Sequence, residues 1–245
     1  MLQLYIDRGN TALKWQVLSN SALMDEGVFS NDVPLAEGLS SLAKQPLSNI
    51  YVSSVASAYF CQQLTVWAKA QAQPNPVFVE STREACGVVN AYEEAGQLGV
   101  DRWLAMIAAR SIYPGVLCVV DSGTALTMDF LLENGEHIGG FIVPGAALMQ
   151  RSLLNNTQKI HLADTLNSKG LGTNTSEAVT FGIEQMLQIF VREKVSDIEK
   201  MHNKKVALVL TGGHAKDLAK GLANEFYLEK DLVLQGLRIL SEGYQ

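Results

Sequence analysis

Two short segments of the chain carry nearly the same set of chemically useful residues. They are Ile6-Asp7-Arg8-Gly9-Asn10-Thr11-Ala12-Leu13-Lys14 and Val120-Asp121-Ser122-Gly123-Thr124-Ala125-Leu126-Thr127. Each reads as an apolar strand that reaches an aspartate, turns through glycine and a small hydroxyl residue, and resumes apolar sequence. Those residue types suit an oligophosphate. Glycine lets backbone N–H groups approach an anion, threonine hydroxyls donate to it, and aspartate holds a cation beside it. Either turn alone is also an ordinary hairpin turn. The recurrence of strand, Asp, Gly and Thr in one order points to two similar halves facing each other across a cleft, and to nucleotide-dependent phosphotransfer. Lys14, on the strand after the first turn, can reach back to phosphate oxygens or extend into solvent. Arg8 either points to solvent or adds a phosphate contact.

A third segment, Leu98-Gly99-Val100-Asp101-Arg102-Trp103-Leu104-Ala105, breaks at glycine and runs into helical spacing from Arg102 to Ile112. Asp101 therefore falls at or near a helix N-cap, where aspartate is worth about 1 kcal/mol without any catalytic role. The same geometry also makes an anion site of Gly99 and the first helix N–H groups, with Arg102 as a clamp and Asp101 facing a substrate hydroxyl. The residues alone leave both readings open. Gly139-Gly140 through Pro144-Gly145 is a strand between glycine-rich turns, read as turn chemistry or as a backbone wall for a ligand. Asn174-Thr175-Ser176-Glu177 opens a long helix that Thr175 or Ser176 can cap, and Thr211-Gly212-Gly213-His214 follows a strand.

The elements that must position these residues follow from periodicity. Strands are expected at 2–6, 13–18, 27–29, 50–55, 77–79, 116–121, 124–132, 138–143 and 206–210, with Asn134-Gly135 as a hairpin turn. Helices are expected at 59–72, stopped by Pro74 and Pro76, and at 102–112, 177–200, 215–223 and 231–242, with weak helical character at 35–45. The second half restarts the pattern of the first, which divides the chain into lobes of residues 1–115 and 116–245.

At 245 residues, 47% hydrophobic and 18% charged, the chain has ample material for a packed core. Its net charge of −6 offers no basic field for nucleic acid or an anionic membrane, so anionic ligands must be held by a few local cations, backbone amides and metal ions. No run approaches the roughly 18 apolar residues of a membrane span. The three cysteines lack Cys-x-x-Cys spacing, and the four histidines lack metal-ligand spacing. Free thiols in the cytoplasm are the simplest account.

In these segments the chain resembles the type III pantothenate kinases, a family within the actin, sugar-kinase and chaperone-ATPase superfamily. The resemblance is carried by Asp7-x-Gly9-Asn10-Thr11-x-x-Lys14, Gly99-Val100-Asp101-Arg102, Asp121-Ser122-Gly123-Thr124-Ala125, Gly139-Gly140 through Pro144-Gly145, Asn174-Thr175 and Thr211-Gly212-Gly213, in the family's order. It implies an α/β fold of two RNase H-like, actin-like lobes with mixed sheets flanked by helices around a central cleft. It also implies ATP-dependent phosphorylation of the terminal hydroxyl of pantothenate, the first step toward coenzyme A. By the match, Asp7, Arg8, Gly9, Asn10, Thr11, Ala12, Leu13, Lys14 and Thr124 would bind ATP, and Asp101 would be the general base. Tyr92, Gly99, Val100, Asp101, Arg102 and Thr175 would line the pantothenate site. Asp121 matches the position tied to a monovalent cation, potassium or ammonium, used alongside Mg²⁺. The family is typically a homodimer, which makes the helix from Glu177 the expected interface. The competing functions are a same-fold phosphotransferase with another acceptor and a non-catalytic nucleotide-binding regulator.

Overall fold

A hairpin opens the chain. In a computed structural model describing residues 1–55, 58–156, 170–223 and 225–244, β1 (Leu2–Arg8) pairs antiparallel with β2 (Ala12–Ser19), and β2 with β3 (Ala22–Ser30). After the single-turn helix α1 (Leu35–Gly38), β4 (Leu47–Ser54) lies parallel to β1. Helix α2 (Ala58–Ala70) and β5 (Pro76–Phe78) follow, giving the order β3-β2-β1-β4-β5. A small hairpin of β6 (Glu84–Ala85) and β7 (Val88–Val89) leads into α3 (Val100–Ile112).

The second half repeats the plan. β8 (Val116–Ser122) pairs antiparallel with β9 (Ala125–Leu131), and β10 (His137–Pro144) lies beyond β9. Helices α4 (Ala146–Asn156) and α5 (Thr175–His202) precede β11 (Val206–Thr211), which runs parallel to β8. After α6 (Ala215–Ala219), β12 (Phe226–Leu228) runs parallel to β11, completing the order β10-β9-β8-β11-β12. Two sheets of identical order, each with its aspartate near the end of the central strand, are the structural form of the sequence repeat.

The chain divides into two compact units. One comprises Met1–Ile112, Asn134–His137 and Asp231–Gln245, the other Tyr113–Glu133 and Ile138–Lys230. The terminal helix α7 (Leu232–Ser241) therefore belongs with the first sheet, not with the half of the sequence that contains it. Its apolar residues Leu232, Leu234, Leu237 and Leu240 need a partner face, and they pack along α3 and against β1 and β4. Periodicity shows that such a face exists but not where it docks.

Each unit has its own core. On one face of the first sheet Leu4, Ile6, Leu13 and Val52 meet Phe60, Leu64 and Trp67 of α2. In the second unit Cys118, Val120, Met128 and Leu210 meet Ile183, Leu187 and Val191 of α5. Each fully buried Leu or Val is worth about 1.5–3 kcal/mol. Cys61, Cys86 and Cys118 are free thiols, and burial pushes the Cys118 thiol well up. None of the described helices is long and apolar enough to cross a membrane.

Strand β3 is longer than 27–29 because most of its residues are exposed and give no apolar signal. The region 35–45 resolves into α1 and a short 3-10 turn at Ser40–Leu42. Where α7 crosses α3 the backbones nearly touch, since a Cβ on Gly236 would lie 1.9 Å from the Leu104 carbonyl oxygen. Gly236→Ala is accordingly expected to destabilise the protein by about 2–3 kcal/mol, lowering Tm by roughly 5–10 °C, as measured by thermal denaturation.

Candidate active site

Asp7 lies near the end of β1, the central strand, where β1 turns through Gly9 toward β2. It is register partner to Lys14 on β2 and to Ser53 on β4, and the buried Ser53 hydroxyl donates to its Oδ1 at 3.2 Å. The turn is closed by Gly9 N–H donating to the Ala12 carbonyl at 3.1 Å. Asn31, just after β3, braces it by donating from its side chain to the Gly9 carbonyl and from its backbone to the Thr11 carbonyl. Asn10 and Thr11 are exposed at the tip.

Successive strand residues point to opposite faces, and this separates two residues that the sequence groups together. Arg8 turns to the α2 side, its guanidinium 5.3 Å from the Phe60 ring centre and donating to the Gly9 carbonyl at 3.2 Å. Partial burial there lowers its pKa. Leu13 is a core side chain, so only its backbone faces the turn. Asp7 and Lys14 share the other face.

The N-terminus of α3 lies in the same unit. Ser81 is buried and donates to the Leu98 carbonyl at 2.9 Å, fixing the approach to Gly99. The helix begins at Val100, so Asp101 occupies the first turn and is not the cap itself. Its Oδ1 accepts from the Arg102 N–H at 2.8 Å, and a Cβ on Gly99 would lie 2.6 Å from that oxygen. The glycine is thus the space in which the carboxylate lies. Val100 is buried, leaving its backbone as its contribution.

Arg102 and Tyr92 are brought together, with Arg102 Nη1 donating to the Tyr92 hydroxyl at 2.9 Å and the guanidinium 5.7 Å from the ring centre. Tyr92 stacks on buried His137, ring centres 6.2 Å apart, and its N–H donates to Asn90 Oδ1. Asn90 is itself buried and donates to the Thr82 and Ala95 carbonyls. Sequence reasoning missed Ser53, Asn90 and His137. The only available signal was their polarity, which does not reveal burial.

In the second unit Asp121 has Thr127 and Thr211 as register partners on β9 and β11. Two glycine motifs close on its turn. Gly145, opening α4, donates to the Thr124 carbonyl at 2.9 Å, and His214 N–H donates to the Ser122 carbonyl at 2.9 Å. Gly212 has φ +94°, and a Cβ there would lie 2.3 Å from Asp121 Oδ1 and 2.6 Å from the Ser122 carbonyl oxygen. Two oxygens therefore converge over this glycine.

The cap of α5 is Asn174, which accepts from Glu177 N–H at 3.0 Å, not Thr175 or Ser176. Buried Glu177 answers by accepting from the Thr173 N–H and hydroxyl. Thr175 is left exposed on a cavity of about 600 Å³ lined by Gly172, Asn174, Ile183 and Met186.

A family model described as type III pantothenate kinase matches residues 3–197. Proteins named type III pantothenate kinase are similar over essentially the whole length. The relative from Pseudomonas fluorescens (strain Pf0-1) is 37% identical over 96% of both chains, and that from Alcanivorax borkumensis is 35% identical over 100% of both. In fold the chain is similar to a Campylobacter jejuni protein described as a Baf family transcriptional activator (TM-score 0.63, 22% identity, 98% of each chain). It is also similar to the activator of 2-hydroxyisocaproyl-CoA dehydratase from Clostridium difficile with bound ADPNP (TM-score 0.53, 14% identity, 100% and 96%).

The two aspartate-facing glycines differ in what a methyl group would strike. Gly212→Ala meets backbone as well as carboxylate at a positive φ and is expected to cost about 2 kcal/mol or more. Gly99→Ala meets only the movable end of Asp101, so its Tm should stay within about 2 °C of the parent. Parallel melting curves check both.

Proposed function

The chain belongs to the type III pantothenate kinase family, and from that membership we infer how its residues divide the work. The activity is ATP-dependent phosphorylation of pantothenate in coenzyme A biosynthesis, and the observation that carries it is the full-length likeness to the family. The fold is that of actin-like kinases and ATPases.

In our reading the Asp7-to-Lys14 turn receives phosphates of ATP, with Gly9, Asn10 and Thr11 offering backbone and hydroxyl donors and Lys14 the charge, and Thr124 of the second unit is read, by itself, as a phosphate-binding threonine. Arg8 shapes the turn through the Gly9 carbonyl while its side chain packs on Phe60. Tyr92, Gly99 and Arg102 hold pantothenate, with Val100 contributing through its backbone, and Thr175 of the second unit is read, by itself, as a pantothenate-contacting residue. Arg102, buried and already bonded to Tyr92, offers its charge to the substrate carboxylate as part of a preset pair.

Asp101 then accepts the proton of the attacking hydroxyl as the γ-phosphoryl group passes to that oxygen and its bond to ADP breaks. Phosphoryl transfer depends chiefly on positioning and charge neutralisation, so a late-acting carboxylate base suffices. The Arg102 N–H and the space over Gly99 hold Asp101 in one place for that task.

A divalent metal accompanies ATP in this family's chemistry. Among the described residues there is no cluster of three or more His, Cys, Asp or Glu side chains able to hold a metal ion. Mg²⁺ keeps its waters and phosphate oxygens and needs only one or two carboxylates, of which Asp7, two residues before Gly9, would be one. When bound it would offset charge on the transferring group. Asp121 we assign to a monovalent cation, potassium or ammonium, because its Oδ1 and the Ser122 carbonyl converge over Gly212. We further propose a homodimer formed through α5, where Met186 and Ile189 are exposed, in a cytoplasmic protein.

The test is ADP release with pantothenate, Mg²⁺ and K⁺ against a panel of other hydroxyl acceptors. Turnover should require pantothenate and fall when Na⁺ replaces K⁺; absence of pantothenate-dependent turnover in either salt would refute the reading. Asp101→Asn is expected to lower kcat by about 10²-fold or more with little change in nucleotide binding. Gly99→Ala, which displaces the same carboxylate, should lower kcat by at least about tenfold. Retention of most of the kcat by Asp101→Asn would reduce Asp101 to a structural residue of the helix end.

A further inference from the structure

Lys14 is tied to a residue from the far end of the chain. Its Nζ lies 2.9 Å from Asp231 Oδ1, and the aspartate side chain is 11% exposed where the lysine is 40% exposed. Asp231 is the N-cap residue of α7, in the left-handed region at φ 55° and ψ 40°. Aspartate at a helix start ordinarily spends its carboxylate on the first N–H groups, but this one makes no capping bond to its helix. A left-handed backbone at a non-glycine residue persists where surrounding structure over-determines it. Here it accompanies a nearly buried carboxylate that reaches the Lys14 ammonium on β2. Lys14 in turn stands opposite Asp7 in the β1–β2 register.

We propose that Asp231 is a positioning residue for phosphate binding, holding the Lys14 ammonium at the Asp7–Thr11 turn before ATP arrives. An ammonium has three donors, so one committed to Asp231 leaves two for phosphate oxygens. The lysine stem is flexible, and ordering it in advance removes part of the cost of binding. The inference rests on the assignment of Lys14 to the phosphates of ATP.

The test compares Asp231→Asn, Lys14→Met and the double variant by kcat, KM for ATP and Tm. Asparagine keeps the shape of aspartate and tolerates the left-handed region; should it impair folding, Asp231→Gly removes the carboxylate while relieving the backbone. Asp231→Asn is expected to raise KM for ATP about five- to tenfold with kcat and Tm nearly unchanged. Lys14→Met should raise it further, and the double variant should be no worse than Lys14→Met alone. In the ligand-free protein, acylation of Lys14 followed by peptide mass mapping should be faster in Asp231→Asn. An effect of Lys14→Met on KM with none from Asp231→Asn overturns the positioning role alone. No effect from either variant overturns the phosphate assignment of Lys14, and this inference with it. An unchanged acylation rate also overturns it, because the pair would then not restrain the lysine.

Discussion

A carboxylate can be held near the end of a buried strand only where its neighbours donate to it and leave it space, and both sheets of this protein are built to that constraint. Asp7 ends against Ser53 on the parallel neighbour, and Asp121 ends beside Thr211, with the glycine after that threonine cleared of any side chain. The two arrangements differ on the antiparallel side, where Asp7 faces Lys14 and Asp121 faces Thr127. One copy of a duplicated scaffold thus carries its own cation, while the other presents neutral oxygens. In an acidic chain this division places a fixed positive charge beside one of the two aspartates and none in register with the other.

The same economy governs the start of α3. Arg102 lies in a mostly buried helix, where an unpartnered guanidinium would be costly, and it is satisfied in part by a tyrosine that is itself pinned by Asn90 and backed by His137. The charge is therefore in place without depending on substrate for its stability. Asp101 is treated alike, fixed by the next residue's N–H and by the gap over Gly99.

Much of this was legible in the sequence, and the reasons are local. The hairpins β1–β2 and β8–β9 announce themselves by apolar runs interrupted by Asp and Gly, and α3 and α5 by their spacing. The Asp7, Asp121 and Gly99-to-Arg102 motifs stand out because each needs residues only a few positions apart. What stayed hidden depends on distant partners. Helix α4, β12 and the small β6–β7 hairpin carry too few residues or too weak a pattern, and β3 is a largely solvated strand. Arg8 looks like its neighbours in the Asp7-to-Lys14 turn until strand alternation sends it to the other face. Asn174 lost the cap to Thr175 and Ser176 because all three residue types cap helices, and only geometry chooses. Nothing near Asp231 in the sequence points to Lys14.

The placement of α7 bears on how the protein is made. A ribosome delivers β1 to α3 early, but the helix that covers α3 and ends beside β1 comes only after the whole of the second sheet. Until then the part of α3 that Gly236 will press against, at the Leu104 carbonyl, lacks its cover. The first sheet to emerge is therefore sealed only after the second has been made, and a chain not yet extended to Asp231 carries the Gly9 turn with its lysine but without that counter-charge. Closure of the first unit is in this way deferred until the second sheet has been synthesised.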